Sequence, residues 1–232
     1  IFADRLEGIV AFAKNEGVEG GAKEIILELS HGDDAVLSSP DDIAYNAQTN
    51  ELYILDLTLE RVISYDLATQ EVNTLLSPGN FAEDSEFRWN TPTAIQFDEA
   101  NQRLLVADRF GVVNKLGLAI FAVDTVDKSV SIISDATAFS NATEFFGAID
   151  FSYDNQTNTF YVTGIRLSNT LDDNGVLLVV ELDGETWDTE IVYQGLLTMN
   201  YGSAPIIFED SILTLADRSI DSLVQIDLVQ WE

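Results

Sequence analysis

The feature that most narrows what this chain can fold into is a repeat of about 52 residues. Segment 38–77 aligns with segment 90–134, placing Pro40 on Pro92, Ile43 on Ile95, Tyr45 on Phe97 and Asp56 on Asp108, each pair 52 residues apart. Such a period marks stacked supersecondary units, none of which can bury its apolar faces alone. In the unit that holds Pro40, segments 43–45, 51–55, 62–67 and 71–76 are rich in β-branched and aromatic residues, as strands are. The first two are separated by Asn46-Ala47-Gln48-Thr49-Asn50, and the matching turns are 98–102 and 154–158. Asn and Asp side chains close such turns by accepting from the backbone two residues on, so each unit reads as an antiparallel meander.

The rest of the chain follows the same template. Segments 147–151, 159–162, 176–182 and 189–193 form a fourth unit, segments 204–208, 212–216 and 223–228 a fifth, and segments 9–12 and 23–29 belong to the first. Asp4, Asp56, Asp108, Gly164 and Asp217 mark the end of the second strand of successive units, at spacings of 52, 52, 56 and 53. Three of these positions carry the tripeptide Ala-Asp-Arg: Ala3-Asp4-Arg5, Ala107-Asp108-Arg109 and Ala216-Asp217-Arg218. The Asp is expected to cap the turn that follows, and the Arg to point to the opposite face and reach a neighbouring unit. Gly164 breaks the rule, with Arg166 left to keep the Arg role. A group repeated unit after unit is structural, because a catalytic group is needed once.

Four-stranded units repeated radially make a β-propeller. The expectation is one all-β propeller domain over 1–232, with blades at 1–37, 38–89, 90–140, 141–198 and 199–232, about four and a half in all. The start at Ile1-Phe2 reads as a processed or truncated end, and the chain as the C-terminal part of a longer, six-bladed ring. A five-bladed ring is the alternative.

The stretch SPDDIAYNAQTNELYILDLTLERVISYDL, residues 39–67, resembles the blades of NHL, YWTD and SMP-30/gluconolactonase-like propellers, the YWTD signature surviving as Tyr53-Ile54-Leu55-Asp56. The resemblance covers nearly the whole chain as a repeat pattern. Its SMP-30-like side implies a divalent cation, Ca²⁺, held in the central channel by oxygens from the loops that lead into the innermost strands. Matched by loop position, the ligands are Asp42, Asn90, Glu144 and Asn200. In such a site the cation polarises a lactone carbonyl and a carboxylate activates water. The same loops carry Trp89, Phe145, Phe146 and Tyr201, which either line a ligand pocket or plug the channel.

Composition limits the partners. With 40 Asp and Glu against 11 Lys and Arg, the formal net charge of −29 repels phosphate backbones and anionic membrane surfaces, so no nucleic acid is expected. No apolar run is long enough for a membrane span. Absent cysteine excludes disulfides and thiolate metal sites, and the single His31, in a polar turn, excludes a multi-histidine site and reads as a loop residue. Segment 169–175 is oxygen-rich but lacks the EF-hand spacing, and segment 110–117, with Lys115, is an insertion of the kind that carries binding. Asn141 and Asn155 satisfy the N-glycosylation pattern. Two functions follow: an exported module, extracellular or periplasmic, binding a protein or glycan through its loop face, or a Ca²⁺-dependent hydrolase of lactones or related esters.

Overall fold

The protein is described here by a computed structural model covering residues 2–4, 9–13, 23–28, 37–81, 88–108, 119–134, 145–166, 176–183, 186–194, 205–207, 212–217 and 222–227. All sheets are antiparallel meanders. Strands β1 (Phe2–Asp4), β2 (Ile9–Ala13) and β3 (Lys23–Glu28) form a three-stranded sheet. Three four-stranded sheets follow: β4 (Pro40–Asn46), β5 (Glu51–Asp56), β6 (Arg61–Asp66) and β7 (Val72–Leu76); then β8 (Pro92–Asp98), β9 (Arg103–Asp108), β10 (Ala119–Asp124) and β11 (Val130–Ser134); then β12 (Phe145–Asp154), β13 (Thr159–Arg166), β14 (Val176–Asp183) and β15 (Thr186–Gln194). The last sheet has β16 (Pro205–Ile207), β17 (Ile212–Asp217) and β18 (Ser222–Asp227).

The period-2 geometry of a strand explains why each unit needs two neighbours. In β5, Tyr53 and Leu55 face the third blade, joining Trp89, Phe97, Leu104, Val106 and Phe121 in one buried cluster. Leu52 and Ile54 face the other way and pack with Val10 and Leu37. In β9 the alternation repeats: Leu104 and Val106 face the second blade, while Leu105 and Ala107 join Phe151, Phe160 and Val162 of the fourth. The second strands are therefore buried on both sides, which is why they read as unbroken apolar runs rather than as alternating ones. Burying each Leu, Ile or Val stabilises by about 1.5 to 3 kcal/mol. Stacking of Tyr53 on Phe97, with ring centroids 5.5 Å apart, adds a directional contact between blades two and three.

Two expectations about strand limits change. The stretch Ser39-Pro40-Asp41-Asp42, read as loop, has Pro40 through Asp42 inside β4, because proline is tolerated as the first residue of a strand. Phe145 and Phe146, also read as loop, begin β12.

Candidate functional site

Alternating strand ends give the ring two unlike faces. On one, β4–β5, β8–β9 and β12–β13 are joined by 47–50, 99–102 and 155–158, and β6–β7 and β10–β11 by 67–71 and 125–129. A carboxylate or amide closes each turn. Gln48 and Thr49 donate backbone N–H to Asn46 Oδ1, Ala68 and Thr69 to Asp66, Val126 and Asp127 to Asp124, and Gln156 to Asp154. Each turn then passes through a left-handed residue, Asn50, Gln70, Gln102, Lys128 or Asn158, at φ between 52° and 63°. The turns foreseen from the Asn and Asp pattern thus form as expected. Asn155 lies exposed in one of them; Asn141 lies outside the described residues. On the opposite face the strand ends are joined by 29–39, 77–91, 135–144 and 195–204, which lead into the first strands, and by 57–60, 109–118 and 167–175.

At that second face two fully buried aspartates hold the frame. Asp56 caps its turn by accepting from the N–H groups of Thr58 (3.1 Å) and Leu59 (3.0 Å), as the sequence implied. It also accepts from Ser38 and Ser39, fixing the chain that leads into β4. Asp108 repeats this role one blade on, taking the N–H of Asn90 at 2.8 Å and of Thr91 at 3.0 Å. Sequence reasoning found the turn cap and missed the tie to the preceding connection, whose partners lie 17 and 18 residues upstream. Arg5, Arg109 and Arg218 lie outside the described residues.

Just inside this face, the first strands of blades two, three and four carry a β-bulge at the same place, between Pro40 and Asp42, Pro92 and Ala94, and Ala148 and Asp150. A bulge re-aims the side chain that follows it. That position is Asp42 in the second blade, Ala94 in the third and Asp150 in the fourth. Asp42 accepts from its neighbour Ile43 (2.8 Å) through Oδ1 and from Ile95 of the next blade (2.7 Å) through Oδ2. Asp150 accepts from Phe151 at 2.7 Å.

Burial pushes the Asp42 carboxyl up to about 6, against the pull of the Ile95 and Ile43 amides, and the Asp41 charge adds to the rise. Burial raises Asp150 well above the ordinary carboxylate value, and the charge of Asp42 raises it further; the Phe151 amide opposes the shift and Asp41 adds to it. Three carboxylates, Asp41, Asp42 and Asp150, therefore act on one another electrostatically on the innermost strands. Such a pair, unequal in amide bonds, can hold a proton on one member while the other is ionised.

Of the residues expected as Ca²⁺ ligands, Asp42 stands in this cluster. Asn90 precedes β8 with its side chain exposed, five residues before the Ile95 amide that meets Asp42. Glu144 and Asn200 lie outside the described residues. Trp89 is 8% exposed and packs in the cluster between blades two and three; the Phe145 and Phe146 side chains, and Tyr201, are outside the described residues. His31, segment 169–175 and segment 110–117 with Lys115 are outside them as well. Asp150 was missed because Gly147-Ala148-Ile149-Asp150 reads as an ordinary strand; aligning it on Asp42, through the Phe151–Val162 and Ile43–Ile54 pairs, was the available signal. Among the described residues no three His, Asp or Glu side chains are grouped to hold a metal ion, and no helix is long and apolar enough to cross a membrane.

No protein-family model matches the chain, and no curated protein matches it. Solved structures do. Nidogen in a nidogen/laminin complex superposes with a TM-score of 0.61 at 14% identity over 99% of this chain and 75% of its own. A protein of unknown function from Bacteroides thetaiotaomicron gives 0.58 at 13% identity, over 89% of this chain and 50% of that one. Regucalcin, a calcium-binding protein from Agrobacterium tumefaciens, gives 0.53 at 11% identity, over 83% and 54%. The chain spans about half the length of the latter two. With its meandering four-stranded sheets packed face to face in sequence order, the chain is a β-propeller.

Proposed function

We propose that this propeller is a binding module that takes a protein or glycan partner on the face carrying the long connections, in an extracellular or periplasmic setting. The observation that carries the reading is the inequality of the two faces. Among the described residues, the turns on one face are short and their polar groups are consumed locally, while strands at the other face are linked by longer stretches of sequence such as 77–91 and 109–118, next to a frame held by Asp56 and Asp108. Long connections on a rigid scaffold are where propellers carry recognition. The likeness to nidogen in complex with laminin supports a protein ligand.

The test is binding to a glycan array and to purified secreted proteins, laminin among them. It compares the native chain with two variants, one with 109–118 shortened to a four-residue turn and one with 155–158 replaced. Binding lost in the first and kept in the second fits the reading; binding untouched by the shortened 109–118, or lost with the change at 155–158, sinks it.

A second reading is supported by the Asp42–Asp150 cluster: a Ca²⁺-dependent hydrolase of lactones or related esters, with Asp42, Asn90, Glu144 and Asn200 holding the cation. Asp42 supplies the hard oxygen donors such a cation takes, and regucalcin shares the fold. The cation would polarise a carbonyl. Calorimetric titration of chelator-stripped protein with Ca²⁺ decides it: one saturable site abolished by Glu144→Gln supports the hydrolase, and no saturable site removes it.

A further inference from the structure

The inner edge of a propeller's first strands has no strand to pair with, and such an edge leaves backbone donors and acceptors to be satisfied by other means. Here side chains of one blade reach the first strand of the next. Between blades two and three, Asp42 Oδ2 accepts the N–H of Ile95. Between blades three and four the corresponding residue is Ala94, and Gln96, two residues on, takes over: its Nε2 donates to Tyr153 O at 3.0 Å and its Oε1 accepts the Tyr153 N–H at 2.7 Å. A primary amide bonding both groups of one residue does the work of a missing strand.

Strand pairing extends the comparison to the next seam. Ile43 pairs with Ile54, Ile95 with Val106, Phe151 with Val162 and Pro205 with Leu215, which places Pro205 at the position where Ile95 meets Asp42. Proline has no N–H, so the bond from the next blade that Asp42 receives has no counterpart for Asp150. At the Gln96 position the fourth blade has Ser152, whose side chain is shorter and carries no amide to bond both groups of Ile207, the counterpart of Tyr153. β16 lies beside β12 all the same. Among the described residues, the stitch of the second–third seam and that of the third–fourth seam are thus both missing here, each through a single residue.

We propose that the seam between β12 and β16 is where the ring opens, with β16–β18 separating from the fourth blade as a unit ahead of global unfolding. Amide exchange resolved by strand tests this. In the native chain the amides of β17 and β18 exchange at least about tenfold faster than those of β9 and β10, the factor that one net hydrogen bond supplies. Ser152→Gln, which installs the Gln96 clamp, slows β17 and β18 by about tenfold and leaves β9 and β10 unchanged. Pro205→Ala, which supplies the missing N–H opposite Asp150, acts in the same direction and serves if the first variant does not fold. The proposal is overturned if β17 and β18 exchange in step with β9 and β10 in the native chain, or if neither folded variant slows them.

Discussion

Asp56 and Asp42 are acidic residues of the same blade, the first fully buried and the second partly, and they are held in opposite ways. Asp56 accepts from four backbone amides, two in its own turn and two in the connection before β4. Asp42 accepts from two, one of them in the next blade, and faces further carboxylates. Asp150 accepts from one. The series shows how an acidic chain sorts its carboxylates: those wrapped in amides act as frame, and those with fewer amide partners lie together on the innermost strands.

Breaking the frame end of the series has the largest effect. Asp56→Ala removes the shared acceptor of four backbone amides, that of Ser39 buried and the others partly so, and the expected loss is about 3 kcal/mol in denaturant unfolding; Asp108→Ala should follow closely. A loss below about 1 kcal/mol would show that the amides find other partners.

The middle of the series is sharper. Asn at position 42 can accept only one of the two N–H groups and turns its own NH₂ on the other, so Asp42→Asn should cost about 1 to 2 kcal/mol at pH 5. Asn at 150 keeps the Phe151 bond and removes a buried charge. Asp150→Asn should therefore leave stability at pH 8 unchanged or raise it, and a loss there equal to that of Asp42→Asn would erase the distinction between the two.

The pH dependence follows with its sign. A carboxyl raised on folding binds its proton more tightly in the native state than in the unfolded state. Its favourable contribution is whole below the unfolded value of 3.8 and is lost as pH rises through the folded one, about 6 for Asp42. Native stability should fall between pH 4 and 7, and Asp150→Asn should flatten part of that fall. Because a net charge of −29 adds its own repulsion, the difference between native and variant curves at fixed salt is the quantity to measure.

The smallest effect lies on the turn face. Gln70 holds φ at 63°, so Gln70→Gly should raise stability by roughly 0.5 kcal/mol, visible as a small shift in unfolding midpoint.

Much of the frame was legible because it recurs. Pro40 and Pro92, Asp56 and Asp108, and the turns at 46–50 and 98–102 repeat at one spacing, and repetition exposes a structural role without coordinates. The site was less legible for the same reason reversed. The site and the blade seams lie at positions where the repeat is broken: Asp42 against Ala94, Gln96 against Ala44 and Ser152, Pro205 against Ile95. A residue that acts across a blade seam, such as Asp42 on Ile95 fifty-three positions away, leaves no local pattern in either segment. The bulges that aim Asp42 and Asp150 are likewise a property of strand pairing, invisible along a single strand.

The most direct measurement is a ¹³C NMR titration of the aspartate side-chain carboxyls in the native protein and in Asp42→Asn. The account predicts that Asp42 titrates near 6 and Asp150 well above the ordinary carboxylate value, and that Asp150 moves down when the charge at 42 is removed. Midpoints for both near about 4, the ordinary carboxylate value, or an Asp150 curve indifferent to the change at 42, would contradict it.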